Sequence, residues 1–168
     1  MMLGRGLAVA AAAVALDQGS KALVLGFFGE PGCALHRVAV NRFLDLVLTC
    51  NPGVSFGLFN RTGVNSLIFA VAALAIIVVL VFWLGRVRAT LLAAAIGLVI
   101  GGAIGNVVDR LRFGAVIDFL DFHLASWHWP AFNLADSAIC LGVAAMLLDG
   151  LLSRRVAPQA KGREDLSP

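Results

Sequence analysis

Four long apolar runs, separated by short polar stretches, organise this chain. The first extends from about Leu7 to Phe28 and is interrupted by Asp17 and Lys21. The second, Val64 to Leu84, contains FAVAALAIIVVLVFWL and no charge. After Gly85-Arg86-Val87-Arg88 comes the third, Thr90 to about Val108, rich in Gly and Ala; the fourth, about Ser137 to Leu152, carries Asp149 near its end. A hydrocarbon core about 30 Å thick needs about 20 apolar residues per helical crossing, so the pattern predicts membrane-spanning helices over 7–28, 64–84, 90–108 and 137–152. These make one all-α integral membrane domain over residues 1–156, with loops at 29–63 and 109–136 and a disordered tail at 157–168.

Composition agrees with that division. Of the 168 residues 60% are hydrophobic and 14% charged, against roughly 45–50% and 25% in soluble domains. This excludes a separate soluble domain. Arg37, Arg42, Arg61, Arg110 and Arg112 fall on one side and Arg5, Arg86, Arg88, Arg154, Arg155, Lys161 and Arg163 on the other, a modest excess; the second set crowds the helix ends, and that density reads as both termini inside. The net charge of +3 then reflects membrane orientation and not a nucleic-acid partner. Arg5 and the apolar residues after it also resemble a cleaved secretory signal, but apolarity resumes at Ala22-Leu23-Val24-Leu25 and completes a span. Cys33, Cys50 and Cys140 form no CxxC or metal-ligand spacing.

Both long loops fall on the outer side. Val38 to Thr49, VAVNRFLDLVLT, is rich in β-branched and apolar residues and turns at Asn51-Pro52-Gly53, which predicts a strand or two at the membrane surface. The loop after Asp109 contains AVIDFLDFHL and then Trp127-His128-Trp129-Pro130, where tryptophans suit an interfacial belt.

Each ionisable group within a bilayer costs about 2.5–3.5 kcal/mol on insertion scales and needs a reason. Asp17 and Lys21 lie i,i+4 and can pair, which reads first as an ion pair locking the helix and only second as chemistry. Gly97, Gly101 and Gly105 recur every fourth residue and permit close helix approach. Asn106 and Arg110 share one face at the outer end, where a structural network and a substrate-binding face are equally compatible with the spacing. Asp118 stands among apolar neighbours and Asp136 opens the fourth run. Brought to the same depth, two such carboxylates share a proton, and one activates water while the other protonates. Taken singly, each has a plainer reading: Asn133 caps a helix with Asp136 as its acidic partner, and Asp118 and Asp121 face water. His36, His123 and His128 lack helical metal-ligand spacing, so neither metal nor cofactor is expected.

The motifs Asp17-Gln18-Gly19-Ser20-Lys21, Asn51-Pro52-Gly53-Val54-Ser55-Phe56-Gly57, Gly105-Asn106-Val107-Val108-Asp109-Arg110, Val116-Ile117-Asp118-Phe119 and Phe132-Asn133-Leu134-Ala135-Asp136 occur in that order. Together they resemble the bacterial lipoprotein signal peptidase family, also called signal peptidase II. The resemblance implies an aspartic endopeptidase of the bacterial inner membrane, with Asp118 and Asp136 catalytic near the periplasmic face. Its substrates would be prolipoproteins cut just before a cysteine carrying diacylglyceryl. It further implies that Asn51, Gly53, Asn106, Arg110 and Asn133 line or brace the site, supported by Asp17, Lys21, Gly102, Asp109 and Ala135. A small extracytoplasmic β-cradle would form from Val38 to Thr49 and an amphipathic periplasmic loop or helix after Arg112. The expected partners are such precursors and membrane lipids, with the enzyme itself a monomer. Two rivals remain: a small transporter with a proton relay through Asp17, Lys21 and Asp149, and an assembly factor using the Gly-rich helix.

Overall fold

The computed structural model describes residues 2–29, 35–53 and 64–156. Four helices, α1 (Met2–Phe28), α2 (Val64–Leu84), α3 (Thr90–Phe113) and α4 (Leu134–Val156), carry the apolar runs. All four are long and apolar enough to cross a membrane. Much of their apolar surface faces outward: Leu67, Ile68, Val71, Val79 and Phe82 on α2 and Leu141, Leu147 and Leu151 on α4 are exposed. Such a surface suits lipid, since hydrocarbon chains are as apolar as the side chains they meet.

Helix α3 is the centre, packed against each of the other three, and glycine makes that possible. A Cβ at Gly97 would strike the Gly6 carbonyl of α1, one at Gly101 the Ala10 carbonyl, and one at Gly102 the Ala135 carbonyl of α4. At Gly105 it would strike the Asp17 carboxylate. Small residues thus bring three backbones together, and Ile96, Ile100 and Leu84 fill the remaining core with 0–1% exposure.

Both helix ends that matter later lie farther along the chain than hydropathy places them, or earlier. Helix α3 continues past Val108 to Phe113, because Asp109 is paired and Gly114, at φ 70°, supplies the left-handed stop and donates its N–H to the Arg110 carbonyl. Helix α4 starts at Leu134 instead of Ser137 because Asn133 caps it.

Strands β1 (His36–Asn41), β2 (Leu44–Asn51), β3 (Val116–Leu124) and β4 (Trp127–His128) form an antiparallel sheet in the order β1-β2-β3-β4. The expectation of strands between Val38 and Thr49 is met. Within the segment after Arg112, expected as an amphipathic loop or helix, residues 116–124 and 127–128 are strands, because Val116–Leu124 finds a pairing partner in β2 that its own sequence does not name. Residues 54–63, part of the first outer loop, and the expected tail at 157–168 lie outside the described residues. Leu48, Ile117 and Phe119 pack with Val24, Leu25 and Phe28, seating the sheet on the end of α1. Thr49 pairs with Asp118 and Asn51 with Val116, although β2 is bulged between Leu46 and Thr49. That register brings the Asn51 turn beside β3.

Close glycine contacts predict a contrast between two substitutions. Gly102→Ala should lower stability by about 1–3 kcal/mol through overpacking against α4. Gly19→Ala, where nothing lies within 4 Å of the added Cβ, should be neutral or stabilising by up to about 1 kcal/mol. Thermal melts in detergent micelles check both.

Candidate active site

Among the described residues, the most buried charges lie where α1, α3 and α4 converge. Lys21 Nζ stands 2.7 Å from Asp17 Oδ2 and 2.7 Å from Asp109 Oδ2, with the three side chains at most 3% exposed. Buried ions are tolerated only when paired and fully hydrogen-bonded, and this group meets the requirement. Gln18 donates its amide to Asp109 Oδ1 at 2.9 Å and to Asp17 Oδ2 and the Gly105 carbonyl at 3.2 Å each. The two carboxylates also accept backbone amides. Asp17 Oδ1 accepts the Ala135 N–H at 2.9 Å, and Asp109 Oδ2 accepts the Ile117 N–H at 3.1 Å. Ala135 immediately precedes Asp136, and Ile117 immediately precedes Asp118. One ion cluster therefore holds the backbone before each of the two candidate aspartates.

Asn133 links those aspartates. Its Oδ1 accepts the Asp136 N–H at 2.9 Å, and the Asp136 carboxylate accepts the Asn133 N–H at 3.3 Å, a reciprocal capping box. Because the backbone N–H fixes the amide oxygen, the amide nitrogen points the other way. It donates to Asp118 Oδ1 at 2.7 Å and to the Ile117 carbonyl at 3.2 Å. Asn106 completes the ring, donating to Asp136 Oδ1 at 2.9 Å while its own oxygen faces Asn133 Nδ2 at 3.3 Å and Lys21 Nζ at 3.4 Å. Asn51 donates to Asp118 Oδ2 at 3.4 Å and is itself held by an Asx turn that accepts the Gly53 N–H at 3.1 Å.

The two carboxylates differ in surroundings. Asp118, on β3 and only 3% exposed, has its carboxyl pushed up to about 7 by burial and then by the nearby Asp136 charge. Hydrogen bonds from Asn51 and Asn133, and the Lys21 charge, pull less strongly the other way. Asp136 sits in the first turn of α4, where the helix dipole favours an anion. Amides and a guanidinium surround this pair, and such donors suit carboxylates and a peptide backbone.

Both aspartates open onto a cleft of about 920 Å³ that also receives Asn51, Gly53, Asn106 and Arg110. Arg110 lies with its guanidinium carbon 5.8 Å from the centre of the Phe69 ring and donates Nη1 to the Asn106 carbonyl at 3.2 Å. Phe69, Leu141, Trp127 and Trp129 give the cleft a mostly apolar wall. The sequence-derived candidates thus converge: Asp118, Asp136, Asn51, Gly53, Asn106 and Arg110 on the cleft, Asn133 behind it, and Asp17, Lys21 and Asp109 beneath, with Gly102 and Ala135 at the α3–α4 contact. Gln18 was missed, although its place beside Asp17 in an apolar run was the available signal. Cys50 is disulfide-bonded, which the cysteine spacing did not reveal.

Comparison with known proteins bears on this arrangement. The family model described as Signal peptidase (SPase) II matches residues 9–152. The chain is 40% identical over 156 residues to a lipoprotein signal peptidase of Methylorubrum extorquens, covering 92% of this chain and 88% of that protein. It is 42% identical over 161 residues to that of Rhodopseudomonas palustris, covering 93% and 95%. A solved bacterial membrane enzyme, determined by the in meso method, superposes with a TM-score of 0.74 at 27% identity, covering 95% of this chain and 94% of the other.

The ion cluster generates a stability prediction. Lys21→Met leaves Asp17 and Asp109 facing each other without a cation, and should cost about 3–5 kcal/mol. Unfolding of the purified variant in mixed micelles measures it, and loss of the Ile117 and Ala135 amide protection from hydrogen exchange should accompany it.

Proposed function

The chain belongs to the signal peptidase II family, a family of aspartic proteases, and we propose that Asp118 and Asp136 are the pair with which it removes signal peptides from prolipoproteins. The observation that carries the assignment is their bridging through Asn133 at the head of the cleft, with one carboxyl held near 7.

In the resting pair the shared proton resides mainly on Asp118, and Asp136 is the anion. Asp136 then takes a proton from a water molecule as its oxygen attacks the scissile carbonyl carbon. Asp118 gives its proton to the carbonyl oxygen, producing a neutral gem-diol. In the second half Asp136 passes its proton to the leaving nitrogen, Asp118 recovers one from a gem-diol hydroxyl, and the C–N bond breaks. The starting protonation is restored, and the products are a carboxylic acid and an amine. Environments that separate the two carboxyls are what such acid–base division requires. Arg110, Asn106 and Asn51 supply hydrogen bonds to an extended substrate backbone, which fixes its orientation.

The cleft's position accounts for the substrate class. A signal peptide arrives as a membrane-spanning helix and must be unwound where water can reach it. An opening at helix ends, walled by Phe69 and Leu141, allows the diacylglyceryl chains of the adjoining cysteine to stay in lipid while the peptide enters. Cleavage then falls just before that cysteine. We place both termini inside and the cleft at the outer face of the bacterial inner membrane, with the sheet as an extracytoplasmic cradle. Basic residues at the opposite helix ends support this, as does the disulfide at Cys50, since such bonds persist in oxidising compartments. Every side chain the reaction uses comes from one chain, which supports a monomeric enzyme. A proton relay through Asp17 and Lys21 is less favoured because Lys21 is held between Asp17 and Asp109 in a closed, buried cluster.

Two outcomes test the assignment. Asp118→Asn and Asp136→Asn should each reduce turnover of a lipid-modified precursor by about 10²–10⁴-fold or more while substrate binding persists. Normal processing by both variants, in the presence of chelator, would sink the pair. The pH profile follows from Asp118: its carboxyl is protonated below about 7 and ionised above. Loss of that proton leaves two anions and no acid, so kcat/KM should fall as pH rises through this range. A profile flat from pH 6 to 9 contradicts the proton's placement.

A further inference from the structure

A second cluster of ionisable groups lies farther along the sheet and takes no part in the proposed hydrolysis. Asp45 on β2 pairs in register with Asp121 on β3, and both are buried, at 5% and 4% exposure. His128 of β4 points Nδ1 at Asp121, 2.9 Å from Oδ1 and 3.0 Å from Oδ2. His123 places Nε2 3.2 Å from Asp45 Oδ1 and stacks on the His128 ring with centroids 4.9 Å apart. One ligand atom each from Asp45, Asp121 and His128 lies within 4.8 Å of the others.

We propose that Asp45, Asp121 and His128 form a binding site for a divalent transition-metal ion, Zn²⁺ by its donor set, with His123 orienting the Asp45 carboxylate. Imidazole nitrogen with carboxylate oxygen is a zinc ligand set, and bond lengths near 2.0–2.2 Å place tetrahedral ligand atoms about 3.4 Å apart, within reach of side-chain adjustment here. A partner holding one ligand by its other atom is the usual support around such an ion, and His123 stands in that position. Sequence spacing hides the set because the three ligands come from three strands.

Charge makes the same demand. Arg37 bridges the two carboxylates, with Nη1 3.3 Å from Asp45 Oδ2 and Nη2 2.9 Å from Asp121 Oδ2, yet its side chain is 47% exposed. The guanidinium stands where the ion would bind and is free to swing into solvent. Arg37 sets one positive charge against two carboxylates, whereas a divalent ion matches both. Binding exchanges one cation for another and breaks no covalent bond.

The consequence reaches the cleft. Trp127, His128 and Trp129 all line it, and the turn before them holds Ala125 at φ 53°, a conformation that persists only where surrounding contacts enforce it. An ion on His128 pins this segment to the buried part of the sheet and so fixes one wall of the cleft.

The test uses the full chain in detergent micelles, stripped with chelator and titrated with Co²⁺ as a spectroscopic probe, then with Zn²⁺ in competition. One equivalent of Co²⁺ should produce visible d–d absorption and a shift in tryptophan emission, both displaced by Zn²⁺. Asp121→Asn and His128→Ala should weaken binding by about tenfold or more. Arg37→Gln, which removes the competing cation, should tighten it. His128 is exposed on a two-residue strand, so its replacement, although it removes a partner from buried Asp121, should keep the fold, which circular dichroism of the metal-free variant checks. Absence of saturable binding, binding undiminished in His128→Ala, or binding not tightened in Arg37→Gln overturns the proposal. Because no substrate is present, none of these outcomes bears on the Asp118–Asp136 pair.

Discussion

Two buried carboxylates and one buried ammonium constrain the protein more than any other contact. Lys21 between Asp17 and Asp109 leaves the low-dielectric interior with a surplus of negative charge. That surplus has to be spread over donors, and those donors are Gln18 and the backbone amides of Ala135 and Ile117. Satisfying the ions therefore fixes three pieces of chain: the end of α3, the start of α4 and the start of β3. An apolar cluster of equal volume could hold the helices together as well, but it could not specify where two particular amides point. The ion cluster is better understood as a positioning device than as a source of stability.

Close helix packing is a condition for that device. The Asp17 carboxylate reaches α4 only because Gly105 offers no side chain in its path, and α4 reaches α3 only because Gly102 meets the Ala135 carbonyl directly. Capping then converts the helix start into a site. Asn133 spends its oxygen on the Asp136 N–H and its nitrogen on Asp118, so the geometry that begins α4 also sets the relation between the two carboxyls.

How much of this was legible in the chain depends on whether the signal is local. Four spans follow from run length, and the Asp17–Lys21 pair follows from i,i+4 spacing. The capping role of Asn133 and Asp136 is likewise written in four consecutive residues. Asp109 as the third member of the cluster is not, since it lies on another helix and its unfavourable place near a C-terminus only hints at a cationic partner. The strands within residues 116–128 were not legible for a related reason: strand identity there depends on β2, some seventy positions earlier in the chain. The ordered motifs pointed to the candidate site residues through family resemblance, whereas Gln18, whose partners Asp109 and Gly105 lie on another helix, was not singled out.

The asymmetry of the proposed pair follows from the same construction. Asp136 belongs to a helix start, with backbone and Asn106 donors and the dipole all favouring the anion. Asp118 belongs to a strand packed between Ile117 and Phe119, both under 5% exposed, and burial favours its neutral form. No side chain has to move to tell the two carboxyls apart, because the secondary-structure elements that carry them already do so. A helix terminus and a buried strand, joined through one asparagine, are then sufficient to give two chemically identical groups different surroundings.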